Sequence, residues 1–202
     1  LEILEVNPKT IQTINNSIDY EVVQKKGLEP LMNTIKPNDY IVHVGRFSDA
    51  KRHDILLEAF SKSNLDTKLV LVGDGPNKNN ILKLIEKLNL QDKVILAGFQ
   101  ANPYPFIKNA RMFVLSSDFE GMPNVLIESF ALFTPVVSTD CPSGPSEILT
   151  DELSQYLVPR QDTDTLSKKI IEVYNNPYIV KESYFNKFKL LNIIMQYERL
   201  LS

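Results

Sequence analysis

The chain has 202 residues, 43% hydrophobic and 23% charged, which suits a globular α/β domain able to bury a core of normal size. Its net charge of -3, with the basic residues scattered, gives no electrostatic case for a nucleic-acid partner. One cysteine, Cys141, excludes a disulfide framework and fits a reducing compartment, and no apolar run approaches the ~18 residues of a membrane span. No signal peptide is recognisable, and a start at Leu1 rather than Met is expected of a piece of something longer.

In chain order, residues 1–8 read as a linker or tail and 9–202 as one domain ending in a helix. Strands are expected over Thr10–Ile14, Tyr40–Val44, Lys68–Val72, Lys93–Leu96, Met112–Leu115, Pro135–Ser138 and Gln155–Leu157. Several are continuous apolar runs such as "LVLV" and "MFVL", the mark of strands covered on both faces. Helical periodicity lies between them, in "HDILLEAFSKS", "NNILKLIEKLNL", "NVLIESFALF" and "DTLSKKIIEVYNN". Asn175-Asn176-Pro177 breaks the chain, and "NKFKLLNIIMQYERLLS" reads as a terminal helix. The alternation predicts a Rossmann-like, three-layer αβα domain with a mainly parallel sheet. Ligands of such sheets bind beyond the carboxyl ends of the strands, so the loops after the strands matter most.

In "VGRFSDAKRHD", Gly45 turns the chain, and Arg46 and Lys51 precede a helix start, where cations, dipole and amides together suit an anion. Two solvated surface cations are the plainer reading. In "VGDGPNKNN", Gly73 and Gly75 permit close backbone approach or form a tight turn, and neither a P-loop nor the full dinucleotide-binding glycine motif is present. In "AGFQANPY", Phe99 offers a surface for a flat ring or joins the core. In "SSDFEGMPNVLIES", Glu120 sits in a loop, Pro123 opens a helix and Glu128 lies within it. Two carboxylates flanking a helix start suit a ligand with hydroxyls at both ends and negative charge between, such as a nucleotide sugar. One dipole-stabilised and one paired glutamate is the alternative.

These stretches together resemble the C-terminal, donor-binding half of the retaining glycosyltransferases of family 4, which have the GT-B fold. The likeness runs from about Asn16 to the terminal helix, through the E-x7-E pair Glu120 and Glu128, "TPVVSTDCPSGPSEIL", "VGRFSDAK" and "LVGDGP". It implies a hexosyltransferase of bacterial-type polysaccharide synthesis using a UDP-sugar. Arg46 and Lys51 would bind the diphosphate and assist its departure, Glu120 the sugar hydroxyls and Glu128 the ribose hydroxyls. Gly121, Met122, Pro123, Asn124 and Val125 would line the sugar and phosphate turn, while Gly45, Gly73, Gly75, Phe99 and Gln100 would flank the nucleotide. The nucleotide sugar is a substrate, and neither cofactor nor metal is implied. The acceptor, a glycan or lipid-linked sugar, would be bound by an N-terminal domain outside this chain. Membrane contact is expected only through that domain, in the cytoplasm or at the inner face of the membrane. Two residues depart from the family pattern: Arg52 stands where glycine is usual, and Phe133 replaces a small residue and is expected to force a different helix ending. A nucleotide-sugar-binding module without transferase activity and a GT-B-fold epimerase are the competing readings.

His43, His53 and Cys141 read as structural residues. Ser143 and Gly144 are placed to approach the ligand, and Glu147 to cap or pair.

Overall fold

The apolar runs become six strands in the computed structural model, which describes residues 12–201: β1 (Tyr40–Val44), β2 (Lys68–Val72), β3 (Val94–Gly98), β4 (Met112–Leu115), β5 (Val136–Thr139) and β6 (Leu157–Val158). All pair in parallel in the order β3-β2-β1-β4-β5-β6. Among the described residues eight α-helices accompany them: α1 (Tyr20–Gly27), α2 (His53–Ser63), α3 (Lys78–Lys87), α4 (Tyr104–Lys108), α5 (Asn124–Ala131), α6 (Pro145–Ile148), α7 (Thr163–Asn175) and α8 (Leu190–Leu201).

The strand runs are mostly apolar because each face of the sheet carries its own core. Tyr40, Val42, Val70, Val72, Phe113 and Leu115 pack with Val23, Phe106, Ile107, Leu126 and Phe130 of α1, α4 and α5. The alternate residues Ile41, Leu69, Leu71, Met112 and Val114 pack with Leu56, Phe60, Ile81, Ile85, Leu166 and Ile170 of α2, α3 and α7. The buried Tyr40 hydroxyl donates to the Phe106 carbonyl at 2.6 Å, tying β1 to α4.

Several expected boundaries move. Thr10 and Ile11 of the first expected strand lie outside the described residues, as does the linker 1–8; residues 12–14 form no strand, because Gln12 and Thr13 face solvent and offer no side to bury. The strand expected at Gln155–Leu157 is instead a 3-10 turn, Asp151–Tyr156, followed by β6, which pairs with Ser138 and Thr139 of β5. The terminal helix begins at Leu190, after a 3-10 turn over Asn186–Phe188 that buries Phe188. The helices α1 and α4 are additions; α1 is started by Asp19, whose carboxylate accepts the Val22 N–H at 3.0 Å. Phe133 does not alter the ending of α5. It takes the left-handed conformation itself, at φ 60°, while its ring meets Phe185 edge-on and its successor Thr134 donates back to Ser129 at 2.9 Å. Among the described residues no helix is long and apolar enough to cross a membrane.

Candidate active site

The strand order reverses between β1 and β4, so the loops after these two strands diverge over a crevice. Three loops are fastened there by their backbones. Gly45 N–H donates to Val72 at 3.0 Å and Phe47 N–H to Asp74 at 3.0 Å, zipping the loop after β1 to that after β2. Asp118 N–H donates to the Ala50 carbonyl at 2.9 Å and Ser116 Oγ to the Lys51 carbonyl at 2.8 Å, zipping it to the loop after β4. Gly73 is required by this closeness: a Cβ there would stand 2.0 Å from the Gly45 carbonyl oxygen. Gly144 plays the same part below Glu120, where a Cβ would meet the Gly121 oxygen at 2.0 Å.

This framework brings Lys51 Nζ to Glu120 Oε1 at 2.5 Å, with both side chains largely buried, and Ser117 Oγ donates to the same oxygen at 2.6 Å. Arg46 is exposed and keeps different company. With Gly45, Gly73, Phe99, Gln100 and Pro103 it lines a mostly apolar cleft of about 470 Å³. Phe99 is 76% exposed at the rim of that cleft, so it belongs to the surface and not the core. Gln100 is anchored by donating to the Ala97 carbonyl at 2.7 Å. Gly75 is not brought to the cleft; it is pinned against the Phe47 backbone.

Pro123 precedes α5 rather than opening it, and Asn124 is the first helical residue. Gly121 is exposed beside this helix start, Met122 and Val125 lean on the core, and Asn124 Oδ1 accepts from Asn16 at 3.0 Å. Glu128 lies one turn deeper, on the side facing α4, where Tyr104 donates its hydroxyl at 3.2 Å. Burial pushes the Glu128 carboxyl above the usual range and the Tyr104 hydrogen bond pulls it partly back. Tyr104 and Ser117 carry no motif, and sequence reasoning missed both.

Arg52 explains its own departure from the family pattern. It sits at φ 46° and ψ 52°, the left-handed region that glycine enters without cost. Its guanidinium binds Asp54 at 2.8 Å and Asp118 at 2.5 Å, and Arg160 and Gln161 bind Asp118 as well. Ser143 donates to the Glu120 carbonyl at 3.1 Å, and Glu147 caps α6 by accepting the Gly144 N–H at 3.1 Å. Cys141 is buried, which with nearby Glu120 pushes its thiol up to about 11. Among the described residues no group of three or more His, Cys, Asp or Glu side chains is arranged to hold a metal ion.

His43 and His53 are buried, as expected of structural residues, but they also meet each other, ring centroids 4.8 Å apart and edge to face. His43 Nδ1 lies 2.9 Å from the Val114 carbonyl and so carries its proton, while His43 Nε2 and both nitrogens of His53 have no hydrogen-bond partner. Burial, then Lys51, lowers the His53 pKa to about 4. An unfolded histidine titrates near 6.5, so between these values only the unfolded state holds the proton. Stability is therefore intact above the unfolded value and lost as pH falls. From pH 7 to 5 His53 alone is expected to remove about 2 kcal/mol. Urea denaturation at both pH values checks this: His53→Gln should flatten the acid limb by that amount, and an unchanged slope would remove His53 as its source.

Comparison with known proteins places the chain. The family "Glycosyl transferases group 1" matches residues 32–188. The chain belongs to this family, and its fold is that of one half of a GT-B glycosyltransferase. It is 34% identical over 201 residues to the N-acetylgalactosamine-N,N'-diacetylbacillosaminyl-diphospho-undecaprenol 4-alpha-N-acetylgalactosaminyltransferase of Campylobacter jejuni, covering 95% of this chain and 54% of that protein. It is 28% identical over 202 residues to the N-acetyl-alpha-D-glucosaminyl L-malate synthase of Bacillus anthracis, covering 94% of this chain and 53% of that protein. The chain thus spans about half the length of these relatives. Among solved structures, the Anabaena protein Alr3699/HepE in complex with UDP and glucose superposes with a TM-score of 0.81 at 18% identity, over 94% of this chain and 56% of that one. The lipopolysaccharide outer core galactosyltransferase WaaB does so with 0.79 at 22%, over 99% and 57%. At these identities the structural likeness speaks for the fold.

Proposed function

We propose that this chain is the donor-binding domain of a glycosyltransferase that moves a hexose from a UDP-sugar to a glycan or lipid-linked acceptor, with retention of configuration, in bacterial-type glycan synthesis. The observation that carries this reading is the convergence, at the β1/β4 crevice, of a cation, a carboxylate and a helix start beside a mostly apolar cleft roomy enough to admit a nucleobase. The base enters the cleft against Phe99 and Gln100. Arg46 and Lys51 neutralise the diphosphate; at the start of α5 the Asn124 and Leu126 N–H groups donate to the Met122 and Pro123 carbonyls at 2.9 Å each, and the Val125 N–H adds a donor of fixed direction. As the sugar bond breaks, charge develops on the departing phosphate, where such prearranged donors lower the barrier. Lys51 and Ser117 hold Glu120 Oε1, so Oε2 is the atom presented to sugar hydroxyls. Glu128 takes the ribose diol. The reading needs no metal. The Campylobacter jejuni relative, named for a diphospho-undecaprenol-linked acceptor, and the Anabaena structure with bound UDP agree with it. The acceptor belongs to a further domain, which also supplies any membrane contact at the cytoplasmic face.

Calorimetry on two conservative variants tests the division of labour. Glu128→Gln is expected to weaken UDP and UDP-sugar alike by about 1.5–3 kcal/mol, the size of one charge-assisted hydrogen bond. Glu120→Gln should spare UDP and weaken only the sugar-bearing ligand. Equal losses of UDP in both variants would show that the two carboxylates do not serve opposite ends of one ligand.

A further inference from the structure

Tyr104 is held from several sides. Its backbone N–H donates to Asn102 Oδ1 at 3.2 Å, and Asn102 Nδ2 donates to the Lys26 carbonyl of α1 at 3.0 Å. Its neighbour Pro103 forms one wall of the apolar cleft, and its ring leans on the core shared with α5. From this anchored position its hydroxyl reaches Glu128 Oε1 at 3.2 Å. A glutamate has three rotatable side-chain bonds, and a carboxylate offers about four lone-pair sites, so a single fixed donor on one oxygen decides where the other points.

We infer that Tyr104 is the positioning residue of Glu128: its phenol holds Oε1 so that Oε2 faces the ribose diol, and the preference for a ribonucleotide depends on the Asn102–Pro103–Tyr104 turn. The inference rests on the donor-site reading above. The same turn walls the cleft and aims the carboxylate, so the fit of the base and the grip on the ribose are set by one piece of backbone. The bond has a second effect, because it opposes the upward push of burial on the Glu128 carboxyl and widens the pH range in which the carboxylate is ionised. Tyr104, from α4, is the titratable side chain acting on Glu128. On the same face, Lys108 of α4 binds Gln24 of α1, and Gln24 in turn reaches the Ala131 carbonyl at the far end of α5.

The test titrates the full chain with UDP and with 2′,3′-dideoxy-UDP between pH 5 and 8 in wild type and Tyr104→Phe, and at pH 8 in Tyr104→His. Wild type is expected to prefer UDP. Tyr104→Phe should lose ~10-fold in UDP affinity and almost none for the dideoxy ligand, one hydrogen bond's worth of discrimination. The pH at which UDP affinity fades should move upward in Tyr104→Phe, because the carboxyl then protonates more readily. Tyr104→His, whose shorter ring does not reach Glu128, is compared at pH 8 alone, where an ordinary imidazole is neutral, and should show the same selective loss there if the phenylalanine variant fails to fold. A merely structural tyrosine would weaken both ligands equally and leave the pH midpoint in place, and either result overturns the inference. If wild type prefers UDP and the variants keep that preference, only the role of Tyr104 falls. If wild type fails to bind UDP or binds the two ligands equally, the donor-site reading falls and this inference with it.

Discussion

Gly73→Ala is expected to cost about 4 kcal/mol, enough to remove a large part of the stability of a domain this size. The added methyl carbon would lie 2.0 Å from the Gly45 oxygen and 3.0 Å from its carbonyl carbon. Neither side can yield cheaply. The Gly73 N–H is bonded to the Gly98 carbonyl at 2.8 Å and the Gly45 N–H to Val72 at 3.0 Å, so each partner is fixed to a neighbouring strand. The backbone angle, φ 146°, adds strain of its own, of order 1–3 kcal/mol. Gly121→Ala is the matched control, because a Cβ there meets nothing within 4 Å. Its expected effect is within about 0.5 kcal/mol. Denaturant unfolding of the pair decides the matter: a Gly73→Ala loss as small as that of Gly121→Ala would mean the two loops separate easily.

Lys51→Ala is expected to destabilise by about 3 kcal/mol and to abolish measurable UDP binding. Removing the ammonium leaves the Glu120 carboxylate, only 11% exposed, with the Ser117 hydroxyl as its remaining side-chain donor. Leaving one member of a buried pair without its partner costs about 3–5 kcal/mol, and the 21% exposure of the lysine places this case at the lower end. The double variant Lys51→Ala/Glu120→Gln separates stability from function. Neutralising the glutamate should restore stability to within about 1 kcal/mol of wild type, because no isolated charge remains. It should not restore UDP binding, because the phosphate still lacks its cation. Recovery of both together would make Lys51 a structural residue only.

The strands were readable because several of their runs, such as "LVLV" and "MFVL", are continuously apolar, as a sheet covered on both faces demands. The residues of the crevice were readable because loops after parallel strands carry ligands, and Arg46, Lys51, Glu120 and Glu128 stand in such loops or just beyond. Which of them meet was not readable. Lys51 and Glu120 are paired across two different crossovers, and Arg46, five residues from Lys51, serves a different wall. Tyr104 gave no signal, since only the docking of α4 on α5 brings its hydroxyl to Glu128. The two histidines lie ten residues apart, on β1 and at the start of α2, and their contact follows from a turn that periodicity does not describe. Arg52 and Phe133 show a further limit. Glycine is expected at a left-handed position for its own freedom, but another residue can occupy it when its side chain gains contacts there, an ion pair for Arg52 and a ring contact for Phe133. Gln155–Leu157 misled because a short apolar end does not distinguish the last turn of a 3-10 helix from the first residue of a strand.

The contact between Lys51 and Glu120 spans 69 residues of chain, and it exists only once β1 and β4 lie side by side. Such a site has no partial form. Local helices and single crossovers can assemble early, but joining non-local strands is the slow entropic step of folding. A nucleotide held by both loops would therefore bind the finished sheet and not its fragments. Ligand at a hundred times its dissociation constant would then deepen the native well by about 2.7 kcal/mol while leaving the unfolded ensemble untouched. On the proposed donor-site reading, the ligand would thus double as a clamp on the pairing of β1 with β4, and its occupancy would report whether that pairing has formed.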